Sequence, residues 1–121
     1  MGRRLVLAVV LALPAAAPAI AGDAVHGKEL YESRCGGCHS LDANRVGPAH
    51  RGVYGRTAGT APNFSYSTAV KNSGVVWQEK TLDAWLTNPQ ALIPGQRKNF
   101  RVATAEDRAD IIAYLRQQSG K

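Results

Sequence analysis

The sequence predicts an all-α fold in which three helices are joined by long loops that wrap a large ligand. Apolar residues recur at helical spacing in three segments, and no alternating strand pattern survives the glycines and prolines between Arg45 and Pro62. The stretch Gly47–Ser67 is rich in Gly, Pro, Ser and Asn, a composition typical of loops. Long loops are uncommon in a compact domain. Because small domains with thin cores often depend on a disulfide, a metal or another non-protein group, we expect such a group here.

The sequence predicts three helical segments, and the signals for their first and last residues differ in strength. Val25–Arg34 carries apolar residues near its centre, and Leu82–Thr87 is stopped by Asn88-Pro89, because the residue before a proline disfavours the α conformation. Thr104–Gln118 is the best defined, since Thr104 is a good N-cap and Asp107 follows three residues later in a near relative of the capping box. Its isoleucines and leucine fall at helical spacing and predict one apolar face.

The N-terminal segment has the pattern of a secretory signal peptide. Two arginines precede an apolar run, Leu5–Leu13, and small residues lead to the A-x-A sequence Ala19–Ala21. A membrane anchor is the alternative, but the run is far shorter than the roughly 20 residues of a spanning helix. We therefore expect residues 1–21 to be removed after Ala21 and residues 22–121 to form one exported, periplasmic domain.

The charge of the chain excludes some partners. Its net charge of +6 falls to +4 without the two arginines of the predicted signal peptide, leaving a mildly basic protein. No basic run is interleaved with aromatic residues in the way that single-strand binders use, so we expect no nucleic-acid partner. A soluble monomer that meets an acidic protein surface fits this charge better.

The stretch "RCGGCHS" holds the two cysteines of the chain, Cys35 and Cys38, followed directly by His39. Export allows a disulfide between them, whereas a thioredoxin-like pair would need a preceding strand that is missing. A zinc site would recruit His26 or His50 as a fourth ligand, without the regular spacing of such sites. C-x-x-C-H is also the signature of covalent haem attachment, in which two thiols add to the porphyrin vinyl groups and the histidine ligates the iron. The residues favour haem over the other three.

Together with "GP" at Gly47-Pro48, "GVYGRTAGTAPNFSYS", Trp77, "TNPQALIPG" and "RADIIAYL", this motif resembles a class I c-type cytochrome over nearly all of residues 22–121. The resemblance implies a small cytochrome c fold with long loops wrapped around one covalent haem c. It implies that Cys35 and Cys38 form the thioether bonds and that His39 is the proximal iron ligand. Pro48 would accept a hydrogen bond from the His39 ring through its carbonyl.

Further roles follow from the same resemblance. Arg56, Tyr66 and Trp77 match residues that hydrogen-bond or neutralise the inner haem propionate, with core packing as the alternative for the two aromatic residues. Four residues match the crossing of the N- and C-terminal helices: Gly27, Tyr31, Ile111 and Tyr114.

The sequence departs from the family at the second iron ligand. In the family a methionine shortly after the "PG" pair supplies sulfur to the iron, but here that position is Lys98 in "IPGQRKN", and the single methionine of the chain is Met1. A neutral lysine amine can bind ferric iron, so Lys98 is the predicted metal ligand beside His39. Asn99, water or an open position are the alternatives, followed by His50 and His26.

These observations predict a periplasmic electron carrier without enzymatic activity, in which the iron cycles between Fe(III) and Fe(II). Methionine raises the potential of such haems, so its absence predicts a low potential. The partner would be a membrane-bound complex or a reductase with an acidic docking surface. The alternative function is a protein that binds NO, CO or O2, or a weak peroxidase, at an open or displaceable iron position. The candidate docking residues form a basic rim: Lys28, Arg34, Arg45, Lys80 and Arg97.

Overall fold

The computed structural model of the protein describes residues 1–2, 8–15 and 22–121. The predicted cleavage site at Ala19–Ala21 lies outside these residues. Within them no helix combines the length and the apolar character that crossing a membrane requires. The helices of the described part are α1 (Ala24–Leu30), which continues as one π-helical turn (Tyr31–Cys35), α2 (Thr68–Lys71), α3 (Glu79–Thr87), α4 (Pro89–Leu92) and α5 (Ala105–Gln117). The predicted all-α class is confirmed, and the single β-bridge among these residues joins Thr57 to Val76.

Helix α1 begins one residue before the predicted Val25, and its π-helical continuation ends in the cysteine motif. Asp23 is its N-cap, and its carboxylate accepts hydrogen bonds from the N–H groups of Val25 and His26 at 2.9 and 3.3 Å. The last turn widens into the π-helical turn, which the Gly36 N–H closes by donating to the Tyr31 carbonyl at 3.0 Å. This turn delivers Cys35 to the interior, where its side chain is buried.

Helix α3 is longer than predicted and is followed by a helix that the sequence did not reveal. It begins at Glu79, one turn before the predicted Leu82, because the Thr81 hydroxyl accepts a hydrogen bond from the Gln78 N–H at 2.8 Å and so caps the first turn. It ends at Thr87, as the following Asn88-Pro89 predicted. Pro89 then starts α4, since a proline is well suited to the first position of a helix.

Helix α5 packs its apolar face, which includes Ile111, Ile112 and Leu115, into the core against α1. Its N-cap is Thr104, whose hydroxyl accepts a hydrogen bond from the Asp107 N–H at 3.3 Å, as predicted. The Asp110 carboxylate on α5 forms hydrogen bonds with the start of α1. One of its carboxylate oxygens accepts from the Asp23 N–H at 2.7 Å, and the other lies 2.7 Å from His26 Nδ1.

The contact between His26 and Asp110 is expected to make the stability of the protein depend on pH. The hydrogen bond to Asp110 raises the pKa of His26 above its ordinary value of 6.5, and the same bond lowers the pKa of Asp110 below 3.8. The histidine therefore contributes stability that is fully present below pH 6.5 and is lost as the pH rises through its folded-state pKa. The carboxyl group contributes above pH 3.8, and that part is lost as the pH falls through its folded-state pKa. His26→Ala should therefore lower the melting temperature more at about pH 5.5 than at about pH 9.

Lys28→Ala is the matched control on the same helix. Lys28 lies 3.9 Å from Glu32 in an exposed pair, so its removal takes a charge from the same helix and leaves the contact between His26 and Asp110 in place. Calorimetric melting curves of both variants provide the measurement. Equal pH profiles for the two variants would show that His26 and Asp110 do not cause the dependence.

Candidate functional site

One cavity of about 400 Å³ brings the predicted site residues together. It lies between the long central loops on one side and helices α3 and α5 on the other. Its lining contains every residue that the sequence singled out for cofactor or metal binding: Cys35, Cys38, His39, Pro48, Arg56, Tyr66, Trp77 and Lys98. These residues come from positions far apart in the chain, so the fold assembles the site.

The cysteine motif forms one wall of the cavity. The N–H groups of Cys38 and His39 both donate to the Cys35 carbonyl, at 3.1 and 2.9 Å, so the motif folds into a tight turn. Both thiols are free, with Cys35 buried and Cys38 exposed. The disulfide considered from the sequence is therefore not formed, and both sulfur atoms are available for other chemistry.

Arg45 stabilises this turn from outside, a role that the sequence did not reveal. Its guanidinium donates to the carbonyl of Gly36 at 2.6 Å and to that of Gly37 at 3.2 Å, and also reaches the His39 carbonyl at 3.2 Å. The sequence placed Arg45 in a docking rim. In the structure the Arg45 guanidinium is bound to carbonyl groups of the cysteine turn and orients that turn.

His39 has one ring nitrogen bound to the protein and the other directed at the cavity. Its Nδ1 is the hydrogen-bond donor to the Pro48 carbonyl, at 2.9 Å, so the proton resides there and Nε2 carries a lone pair. Burial, and after it the positive charge of Lys98, lowers the pKa of His39 to about 4. The backbone passes so close to the ring that a Cβ at Gly47 would lie 2.0 Å from His39 Cε1. The imidazole is therefore neutral and held in the form that binds a metal ion.

Arg56, Tyr66 and Trp77 line another wall of the cavity, and the first two have N–H or O–H groups left to donate. Arg56 donates to the Ala49 carbonyl at 3.1 Å with one of its several N–H groups. The Tyr66 hydroxyl accepts from the Ala61 N–H at 3.0 Å, which leaves its own proton free to donate. Trp77 is buried and lines the cavity with its ring. The sequence predicted these three residues as one group, and the structure brings them to one cavity.

The charges around the cavity have one sign. Arg56, Arg97 and Lys98 are among the lining residues, and within the described part of the chain no carboxylate is. Burial lowers the pKa of Arg56 and that of Lys98. Cations in a largely apolar cavity are costly without a counter-charge. The lining therefore suits a ligand that is apolar in its body and anionic at its edge.

Lys98 faces His39 across the cavity. Its Nζ lies 3.2 Å from His39 Nε2, the nitrogen that is free to bind a metal. The loop that carries Lys98 is stabilised by Gln96, which is buried. The Gln96 carboxamide accepts from the Lys98 N–H and donates to the Lys98 carbonyl, and these two hydrogen bonds form the Gln96 clamp. Gln90 in turn donates to the Gln96 carbonyl at 3.0 Å. The sequence identified Lys98 but gave no indication of this pair of glutamines.

The other candidates for the position of Lys98 do not oppose the His39 ring. His26 is bonded to Asp110 at the helix crossing. His50 lines the cavity, but its ring stacks on that of His39, with centroids 3.9 Å apart, and its Nδ1 lies 3.0 Å from the Tyr31 hydroxyl. Asn99 is exposed. Lys98 is thus the side chain among these whose nitrogen opposes the His39 ring.

The donor set fits a haem. Two thiols and an imidazole on one wall, cations and hydroxyl donors on another, and an apolar remainder match the vinyl groups, the iron, the propionates and the porphyrin faces. Lys98 Nζ and His39 Nε2 are at hydrogen-bond distance, 3.2 Å, and the flexible four-carbon stem of a lysine would let the amine move back to admit a metal ion between them.

The fold and the cavity define a small helical protein built around one covalently attached haem. The cytochrome c family model matches residues 24–119, and the chain belongs to the cytochrome c family. Like the family, it carries one haem c and transfers electrons.

Relatives and solved structures agree with this assignment. The chain is 48% identical over 98 residues to a cytochrome c of Euglena viridis, covering 78% of this chain and 96% of the relative. It is 43% identical over 105 residues to a cytochrome c2 of Rhodomicrobium vannielii, covering 84% and 83%. The structure of cytochrome cH from Methylobacterium extorquens superposes with a TM-score of 0.76 at 36% identity, covering 79% of this chain and 99% of that one.

Proposed function

We propose that this protein is a periplasmic electron carrier in which Cys35 and Cys38 attach the haem while His39 and Lys98 ligate its iron. The observation that carries the proposal is the opposition of Lys98 Nζ and His39 Nε2 at 3.2 Å inside the cavity. The bound haem supplies a centre that accepts and releases one electron. The protein attaches it, keeps water away from it and sets its potential.

The residues in and around the cavity have different roles in this proposal. Pro48 fixes the tautomer of His39, so that Nε2 is the ligating atom. Arg56, Tyr66 and Trp77 offer donors to a propionate, which would otherwise be an uncompensated charge in an apolar cavity. Arg45 holds the turn that carries both thiols.

Lys98 can act as a ligand only in its neutral form, and its surroundings favour that form. Removing the proton from an ordinary lysine at pH 7 costs about 4 kcal/mol, because its pKa is near 10.4. Burial lowers the pKa of Lys98 and so reduces this cost. The Gln96 clamp fixes the backbone on both sides of the Lys98 Cα, which limits the entropy lost when the side chain binds.

We place the docking surface for the redox partner at the exposed cysteine edge of the cavity. Cys38 is exposed there, and Val46, which also lines the cavity, is exposed as well. The basic rim is smaller than the sequence suggested, because Arg34 is paired with Asp107 at 3.0 Å and Arg45 is bound to the cysteine turn. An acidic partner surface would meet the remaining charges, chiefly Arg97 and Lys80.

Lys98→Ala tests the ligand assignment. The ferric wild-type protein should show a low-spin absorption spectrum without the methionine-linked near-infrared band, and its ferrous form should bind carbon monoxide slowly. The variant loses one nitrogen ligand, so its ferric spectrum should become that of a water-capped or five-coordinate haem, and its ferrous form should bind carbon monoxide rapidly.

Lys80→Ala is the matched control, since it removes an exposed lysine and should leave the spectrum unchanged. An unchanged spectrum in the Lys98 variant would remove Lys98 from the iron. Rapid carbon monoxide binding by the wild type would favour the alternative function, binding of small gaseous ligands.

A further inference from the structure

The His39 ring has a second histidine stacked on it. The rings of His39 and His50 have centroids 3.9 Å apart and an interplanar angle of 18°. The Tyr31 hydroxyl lies 3.0 Å from His50 Nδ1, and the Tyr31 ring contacts that of His50 at a centroid distance of 5.7 Å. A contiguous set of three aromatic rings therefore leads from the iron-binding imidazole to the π-helical turn.

The hydrogen bond to Pro48 alone leaves one freedom to the His39 ring. A single hydrogen bond at Nδ1 fixes the tautomer, but coupled rotations about the Cα–Cβ and Cβ–Cγ bonds of His39 would still tilt the plane of the ring. A flat ring packed face to face at 3.9 Å opposes this rotation, because turning His39 would drive its edge into His50. His50 can thus determine an angle that Pro48 leaves open.

Tyr31 holds His50 in place for this task. Tyr31 is 4% exposed, belongs to the π-helical turn that ends at Cys35, and packs on Tyr114 of α5 at a centroid distance of 5.4 Å. The Tyr31 hydroxyl and His50 Nδ1 are within hydrogen-bond distance, at 3.0 Å, and this contact fixes the orientation of the His50 ring.

We propose that Tyr31 and His50 are positioning residues that fix the plane of the His39 imidazole relative to the haem. The inference rests on the proposed role of His39 as iron ligand. The imidazole plane matters because the π orbital of His39 would mix with the iron orbital of matching orientation, which would make a bound porphyrin electronically unsymmetrical. A lysine amine on the opposite side has no π orbital, so the His39 plane alone would set this asymmetry.

The test is proton NMR of the ferric holoprotein, in which the spread of the haem methyl resonances reports the imidazole plane. His50→Leu removes both the stacked ring and the hydrogen bond, so the methyl resonances should shift and broaden as His39 samples several orientations. Tyr31→Phe removes only the hydrogen bond and should produce a smaller shift in the same direction. His50→Phe restores a flat ring and should recover much of the wild-type spread. Tyr54→Phe, at a tyrosine outside the cavity lining, should leave the spread unchanged.

Three results separate the possible failures. Methyl resonances that stay at wild-type positions in His50→Leu, while the melting temperature falls, would show that the pair only supports the fold and would overturn the inference. If His50→Leu yields no holoprotein, Tyr31→Phe decides in the same way. A wild-type spectrum that is not low-spin would instead contradict ligation by Lys98. The spread of the methyl resonances would still report the orientation of the His39 ring.

Discussion

Replacing Lys98 with methionine is expected to raise the midpoint potential of the haem by a few tenths of a volt, within the roughly 0.8 V that axial ligands span. A thioether is a soft, neutral ligand that favours ferrous iron, whereas a lysine nitrogen is harder and favours ferric iron. Because the Gln96 clamp binds only the backbone of residue 98, the new side chain should enter the cavity along the same path. A redox titration followed by absorption spectroscopy measures the change.

Lys98→Ala separates gain of sulfur from loss of nitrogen. The methionine variant alone should acquire the near-infrared band of Met/His ligation, and its potential should lie well above those of both the wild type and the alanine variant. A wild-type potential as high as that of an ordinary Met/His cytochrome c would contradict the low potential proposed here.

Much of the site could be predicted because its chemistry is encoded in short motifs and in one substitution. Cys35, Cys38 and His39 adjoin one another in sequence, so their joint role is visible without a fold. Lys98 was identified because the chain has a single methionine, at its first residue, and a lysine stands where a sulfur ligand is expected. The structure then places its amine opposite His39.

The residues that sequence reasoning missed act through contacts between distant segments. His50 was weighed as a zinc or iron ligand, yet it stacks on His39 and bonds Tyr31, which lies 19 residues away. Gln96 carries no local pattern that would predict its clamp on Lys98, since that clamp depends on the path of the loop. In the sequence Arg45 resembles any exposed cation. Only the fold brings the carbonyl groups of the cysteine turn to its guanidinium.

The fold shows the same division. The N-cap of α5 and the stop before Pro89 are local signals, and both were predicted correctly. The four-residue helices α2 and α4 were missed, because a single turn is too short to display a helical repeat. The widened turn at Tyr31–Cys35 was predicted as ordinary α-helix, since periodicity does not distinguish one π-helical turn.

Gly27→Ala is expected to be the most destabilising substitution that leaves the haem ligands unchanged. A Cβ at Gly27 would lie 1.9 Å from the Asp110 carbonyl oxygen, a backbone atom of α5 that cannot rotate away. Helices α1 and α5 would have to separate, and α1 continues directly into the turn that carries Cys35. The better helix propensity of alanine, about 1 kcal/mol, offsets only part of this clash. We expect a net loss of about 2 kcal/mol, because overpacking a contact with a fixed backbone atom costs about 3 kcal/mol or more.

Gly37→Ala is the control, because a Cβ at Gly37 would meet nothing within 4 Å. Thermal unfolding of the holoprotein should show a melting temperature lower by on the order of 10–20 °C for Gly27→Ala and almost unchanged for Gly37→Ala. The absorption spectrum at low temperature should match the wild type in both, since the iron ligands are intact. If the Gly27→Ala protein were as stable as the control, α1 and α5 would not cross as closely as the 1.9 Å between a Gly27 Cβ and the Asp110 carbonyl oxygen implies. The crossing would then contribute little to holding Tyr31 and Cys35 against the haem.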